Sequence, residues 1–444
     1  MKTQASKTLK LTIAAAALAW RKARLAVSLA LCALVMNLSA EAREPIIITF
    51  DPPGSQGTFP QCLNEGGAIT GYYHDQNYVY HGFLRAPNGK ITIFDVPGEG
   101  TAPGLGPSPY SINAEGAVAG AYFDANGASH GFIRFPDGAI TTFDVTGQGT
   151  VGDEGNFPGS INALGVIAGE YVDANYVSHG FLRAHDGEIL AFDVRTAGSE
   201  AGQGTTTAFA ACSDINLVGM IAGNYIDASN VTHGFVRSPF GAIVTFDAPG
   251  AGTAAGAPLC GFFLGNCQGT YVSGINLAGT VIGWDNDANF FAHGFVRARD
   301  GAITTFDAPG ANNPGPYTGT VPYAINVEGT ITGNYNANFF DYGFVRARDG
   351  AITSFEAPGA VNTGAYSGTL PISNNSAGEI TGSYSDVNGV SHGFLVLPGD
   401  GGSEAASLAE SNAIPNFTPP ENVRNLAQQR MRRSRPGAWL NSPR

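Results

Sequence analysis

Residues 111–144 read SINAEGAVAGAYFDANGASHGFIRFPDGAITTFD. A short run ends at Ser111-Ile112, and Asn113-x-x-Gly116 follows, with Asn first and Gly fourth as a type I turn favours. Val118 to Phe123 then alternates with period two, the mark of a strand with two unlike faces. Asp124-Ala125-Asn126-Gly127 turns the chain into His130–Phe135, and Asp137-Gly138 is a two-residue hairpin signal ahead of Ala139–Asp144. The spacing predicts four antiparallel strands, A to D.

The same unit recurs along the chain. His-Gly-Phe begins at His81, His130, His179, His233, His293 and His392, and Tyr342-Gly343-Phe344 fills the remaining slot. An Asn-x-x-Gly turn precedes each, at Asn64, Asn113, Asn162, Asn216, Asn276, Asn326 and Asn375. A Phe-acid pair follows the first six, ending at Asp95, Asp144, Asp193, Asp247, Asp307 and Glu356. The histidine slot and the acid are always 14 residues apart, whereas the acid and the next turn Asn are 18 to 29 apart. Constant spacing marks packed strands and variable spacing marks surface loops. Seven four-stranded antiparallel units predict an all-β, seven-bladed β-propeller. The seventh copy lacks its Phe-Asp strand, but Ile46-Ile47-Ile48-Thr49-Phe50-Asp51 stands unpaired near the other end. The expectation is that this strand completes unit seven and closes the ring.

The pattern Ile-Asn-x-x-Gly-x-Ile-x-Gly-x-Tyr, His-Gly-Phe-x-Arg, Asp-Gly-x-Ile-Thr-Thr-Phe-Asp resembles the exported bacterial repeat proteins of the HAF type, with Gly131 where that family's name has Ala. The resemblance covers about residues 45–398. It implies an extracellular, propeller-like protein and carries over no catalytic residue.

Composition and charge narrow the function. Of 444 residues only 13% are charged, and 61 are glycine. Residues 43–398 carry a net charge of −20. Such a body repels phosphate backbones, so no nucleic-acid partner is expected. Residues 1–42 read as a signal peptide: six basic side chains, the apolar run Leu25–Met36, and Ala40-Glu41-Ala42 as a small-x-small cleavage site. Twelve apolar residues are too few to span a bilayer, so the mature chain is read as exported, without a membrane span, and monomeric. Residues 43–398 are the propeller, and residues 399–444, rich in Ser, Pro, Asn and Arg, are a flexible extension.

The repeated polar residues are expected to be structural. The hairpin acid, the histidine and the Phe-Asp acid fall near one face of every unit, where a coupled hydrogen-bond network ties strands together. Unit six departs at three places at once, with Asn336, Tyr342 and Glu356. Arg85, Arg134, Arg183, Arg237, Arg297 and Arg346 are expected to tether carboxylates of neighbouring strands. Asp124-x-Asn126-Gly127 and Asp386-x-Asn388-Gly389 resemble the start of a calcium loop, but the later ligands are missing, and no cofactor is assigned. One histidine per unit spread round a ring does not make a tetrahedral zinc set.

Nucleophile elbows, phosphate loops and paired-cysteine motifs are missing from the sequence. The irregular features are the long D–A connections of units four and five. The latter carries Cys260, Phe262, Phe263 and Cys267, and Trp284 replaces the usual residue in strand B of unit five. Phe262, Phe263 and Trp284 are the candidate contacts for a glycan or a protein surface. Cys260 and Cys267 are expected to pair, and Cys62 and Cys212 to stay free because their units are not neighbours. The sequence therefore reads as an exported binding module, with a polysaccharide-active propeller enzyme and a structural envelope protein as alternatives.

Overall fold

The computed structural model describes residues 45–207, 212–254, 267–311, 318–337, 340–361 and 368–399. Among them there are 28 strands, and no helix is long and apolar enough to cross a membrane. Strand β1 is Ile46–Phe50. Unit one is β2 (Thr58–Leu63), β3 (Ile69–His74), β4 (Tyr80–Arg85) and β5 (Ile91–Phe94). Unit two is β6 (Gly106–Ile112), β7 (Val118–Phe123), β8 (Ser129–Arg134) and β9 (Ile140–Phe143). Unit three is β10 (Gly155–Ile161), β11 (Ile167–Val172), β12 (Ser178–Arg183) and β13 (Ile189–Phe192). Unit four is β14 (Gly204–Thr207), β15 (Ile221–Ile226), β16 (Thr232–Arg237) and β17 (Ile243–Phe246). Unit five is β18 (Gly269–Ile275), β19 (Val281–Asn286), β20 (Ala292–Arg297) and β21 (Ile303–Phe306). Unit six is β22 (Thr320–Ile325), β23 (Ile331–Ala337), β24 (Phe340–Arg346) and β25 (Ile352–Phe355). Unit seven is β26 (Thr369–Asn374), β27 (Ile380–Ser385) and β28 (Ser391–Leu397).

Each unit is an antiparallel meander. In unit seven the fourth strand is β1, which pairs with β28 from Ile46↔Leu397 to Phe50↔Gly393. Successive units touch through single-residue parallel bridges such as Gly155↔Ser129, Thr232↔Gly269 and Asp341↔Gly368. Gly155 sits at φ +113 against the Ser129 backbone, a conformation and a clearance that only glycine allows.

The core lies between units. The Phe of each Phe-acid pair packs edge-to-face on the His-Gly-Phe phenylalanine of the next unit. The pairs are Phe94–Phe132, Phe143–Phe181, Phe192–Phe235, Phe246–Phe295, Phe306–Phe344, Phe355–Phe394 and, across the two ends of the chain, Phe50–Phe83. The Phe143 ring also lies over Gly131, where an added Cβ would come within 2.6 Å of it.

The turn asparagines form a second series. Each Asn takes backbone N–H groups of its own turn on Oδ1, as Asn113 does from Ala117 at 2.9 Å. Its Nδ2 donates to the backbone carbonyl of the next unit's Asn. The donations run Asn64→Asn113→Asn162→Asn216→Asn276→Asn326→Asn375, and Asn375 donates to Asn64 at 3.2 Å.

Candidate functional site

The rim of repeated polar residues comes first. The B–C hairpin acids are turn formers: Asp124 Oδ1 accepts the N–H groups of Asn126 and Ala128, and Asp124 Oδ2 accepts from Asn126 Nδ2. Those hydrogen bonds occupy the oxygens that a calcium loop would aim at a metal. Among the described residues no group of three or more His, Cys, Asp or Glu is arranged to hold a metal ion.

Each histidine donates from Nδ1 to the acid 14 residues on: His81 to Asp95 at 2.6 Å, His130 to Asp144 at 2.7 Å, His233 to Asp247 at 2.8 Å, and His179 and His293 to Asp193 and Asp307. In unit seven, His392 donates to Asp51 at 2.8 Å, an acid 341 residues away in sequence. The other ring nitrogen faces the hairpin acid, as His130 Nε2 faces Asp124 at 3.8 Å. The rings of His81, His130, His179, His233 and His392 lie against Tyr73, Tyr122, Tyr171, Tyr225 and Tyr384. The hydrogen bonds they donate to Asp95 and Asp193 raise His81 and His179. In His233 and His392 burial opposes the rise, and the partners Asp247 and Asp51 outweigh it.

Unit six rearranges. Tyr342 stacks on Tyr335, while Asp341 accepts from Asn334 and Asn336.

The arginines are not where the sequence placed them. Each guanidinium lies 4.7–5.1 Å above the Phe of the preceding unit's last strand, Arg85 over Phe50 through Arg346 over Phe306, rather than on a carboxylate. A delocalised, weakly hydrated cation gains more from a buried ring face than from a solvated acid.

The second region is the axis, where the first strands of the units converge. These strands bulge one residue before their last turn, as at Pro109/Ser111 and Pro158/Ser160. Unit four departs from this: its ladder is described from Gly204 to Thr207 and again at Asp214, whose carbonyl accepts the Ala222 N–H at 3.0 Å, and at Ile215, with Cys212 and Ser213 between. Cys212 bonds Cys62 of unit one, Cα–Cα 5.4 Å, with its sulfur 3.6 Å from Ser373 Oγ of unit seven. Ser213 accepts the Ile275 N–H of unit five at 2.8 Å. The Asp214 carboxylate fills the space above Gly159 of unit three. The expectation that Cys62 and Cys212 stay free is thus overturned. Separation had been counted from unit to unit along the chain, whereas the Cys62 and Cys212 Cα atoms stand 5.4 Å apart, with Cys212 at φ 97.

This excursion gathers carboxyl groups that no other unit repeats. Glu170, opposite Phe157 in register, accepts the Thr207 N–H at 3.2 Å. Burial pushes Glu170 up to about 7, partly offset by that N–H. Asp214 is fully buried, with the Thr207 hydroxyl beside its carboxylate. Burial, and then the nearby Glu170, hold it well above the usual carboxylate range. In unit five, Asp285 stands opposite His293 where other units place Tyr, and burial raises it to about 6.

Of the residues proposed from sequence, Trp284 is 2% exposed and stacks on Tyr271 with rings 5.1 Å apart, a packed strand residue. Phe262, Phe263 and Cys260 lie outside the described residues. Cys267 is buried and disulfide-bonded. Sequence reasoning missed Glu170, Asp214 and Asp285. Aligning the seven Gly-x-Tyr segments would have exposed Glu170 and Asp285 as odd members, and Asp214 occupies the slot two before the turn Asn, where the other units have Cys, Ser, Gly or Ala.

No family model and no curated protein matches the chain. Among solved structures, puromycin hydrolase aligns at TM-score 0.44 and 12% identity, over 77% of this chain, which spans only 55% of that one. AofleA from Arthrobotrys oligospora aligns at 0.34 and 10% identity, over 80% of this chain and 84% of that one. The Aleuria aurantia lectin, described as a six-bladed β-propeller that recognises fucose, aligns at 0.35 and 10% identity, over 70% of this chain and 95% of that one. At TM-scores below 0.5 these likenesses do not equate the folds, and what those proteins bind says nothing of this chain's ligand.

Proposed function

We propose that residues 43–398 form a closed seven-bladed propeller that is exported, acts as a monomer, and binds a glycan or a protein surface. Seven asparagine donations that return to their start support the blade count and the closure, as do seven Phe–Phe contacts and the β1–β28 pairing. The basic, apolar N-terminus and the Cys62–Cys212 bond support export to an oxidising compartment. No cofactor is invoked.

The observation that carries binding is the excursion of unit four. In a scaffold repeated seven times, the departure of unit four brings Glu170 and Asp214 to Thr207 beside half-buried Phe157, an aromatic face with acceptors alongside. The binding site assigned to the loops of units four and five is accordingly proposed at the axial end of the unit-four loop.

The same pair favours one rival. Two carboxyl groups held above their usual range and close enough to perturb each other are the material of acid–base glycan cleavage. Incubating the full chain with a glycan panel and analysing products in the same wells separates the two. A binder retains ligand and releases no product, and Glu170→Gln changes its affinity. Product that disappears in both Glu170→Gln and Asp214→Asn establishes the enzyme instead.

A further inference from the structure

The end of the molecule that carries the Asn turns is chemically lopsided. The two residues between Asn and Gly are free to vary, and units three to six each expose at least one large apolar side chain there: Leu164 at 62%, Val218 at 54%, with Leu217, Leu277 and Val327. The Asn162→Asn216→Asn276→Asn326 donations set these turns side by side.

The C–D hairpins at this end normally begin with Asp or Asn, whose side chain accepts the N–H two residues on, as Asp137 does from Ala139. Unit four instead has Phe240, 98% exposed. Its turn loses nothing, because Ser238 Oγ accepts the Ala242 N–H at 3.0 Å. Pro239 abuts the neighbouring turn, with its Cβ 3.6 Å from where a Cβ on Gly219 would stand. An aromatic side chain that stabilises nothing in its own hairpin, set beside an aliphatic arc, has the form of a binding anchor.

Around the patch the exposed acids Glu115, Asp186, Glu188 and Glu328 outnumber the exposed Arg299 and Arg348, which lie against the turns of units five and six. A partner for this surface carries apolar side chains among cations. Residues 421–435 of this chain have that composition: Val423, Leu426 and Met431 among Arg424, Arg430, Arg432, Arg433 and Arg435. Val396 of β28 pairs with Ile380, just past the Asn375 turn, so the chain leaves unit seven level with this face. Some 25 intervening residues reach ~80 Å when extended, ample to cross it. We propose that residues 421–435 dock on the Phe240–Val218 patch, covering the arc of units three to six.

Trypsin tests this on the full chain, because the arginines of the segment are its cleavage sites. Docking is expected to slow cutting after Arg430, Arg432 and Arg433 about tenfold relative to a free peptide of the same residues, and less at high salt. Phe240→Asp, which restores the hairpin residue of the other units, is expected to abolish the protection without moving the melting temperature. Val218→Asp is expected to do the same. Cutting at the free-peptide rate in the unaltered chain overturns the proposal. So does concentration-dependent self-association, or binding to phosphatidylcholine vesicles, that Phe240→Asp removes while cutting stays unchanged; the occupant is then a second copy or a membrane.

Discussion

The rim and the axis are built from the same strands and behave oppositely. At the rim one arrangement repeats: a His donating to an acid, with an aromatic ring behind it in most units. Its chemistry is that of attachment, since it recurs wherever strand C must be held to strand D. At the axis, unit four does what no other unit does, and three consecutive residues reach units one, three, five and seven. The contrast teaches that in a repetitive scaffold the shared residues report on assembly and the solitary ones on use.

Breaking the assembly is expected to give the largest effect. Deleting residues 43–51 removes β1, the Phe50–Phe83 contact, the ring beneath Arg85 and the partner of His392. A loss of about 5 kcal/mol or more, comparable to a domain's whole stability, follows. A thermal melt reads it, and an unchanged midpoint would refute the role of β1.

The axis comes next. Cys62→Ala with Cys212→Ala opens a link across 150 residues, which the loop-entropy argument values at about 5 kcal/mol. Denaturant titration with and without reductant is the check, and equal midpoints would show that the link stabilises nothing.

Gly131→Ala forces a methyl group against the Phe143 ring and is expected to cost about 1–3 kcal/mol by overpacking. A double variant with Phe143→Leu should recover part of that loss.

Acidity acts on both regions with one sign. Glu170 is raised in the folded state, so its contribution is complete below about pH 4.5 and declines until about pH 7. The histidines raised above 6.5 contribute fully below that value, and the contribution is lost as pH climbs through their folded values. Stability is therefore expected to fall from pH 5 to pH 8 by on the order of 2 kcal/mol, and Glu170→Gln should flatten the lower half of that curve. A curve of the same shape in the variant would locate the titration elsewhere.

The smallest effect is expected at the rim. His130→Ala breaks one exposed pair, at a cost of less than about 1 kcal/mol, and leaves ligand binding intact. Abolished binding in a folded variant would make the repeated network the functional one.

Much of the scaffold was legible because strands and turns are local. The Asn-x-x-Gly and Asp-Gly signals fixed the meander, and constant spacing located each His and its acid before any coordinates. Even the missing strand of unit seven could be found by its absence. What stayed hidden depends on the third dimension. Nothing in the run around Cys212 shows that it turns toward the axis, and separation in sequence is a poor guide to distance across a ring. The arginines could be paired with acids on charge alone, and only packing reveals the aromatic face beneath them. Glu170 looked like one more strand residue until Thr207 and Asp214 came beside it.

The pairing of β1 with β28 also sets a timetable. Ile46 leaves the ribosome 351 residues ahead of Leu397 and finds its partner strand only when Leu397 has been made. Until then Asp51 has no His392 to accept from. A chain whose first strand must wait for its last cannot finish folding while it is being synthesised.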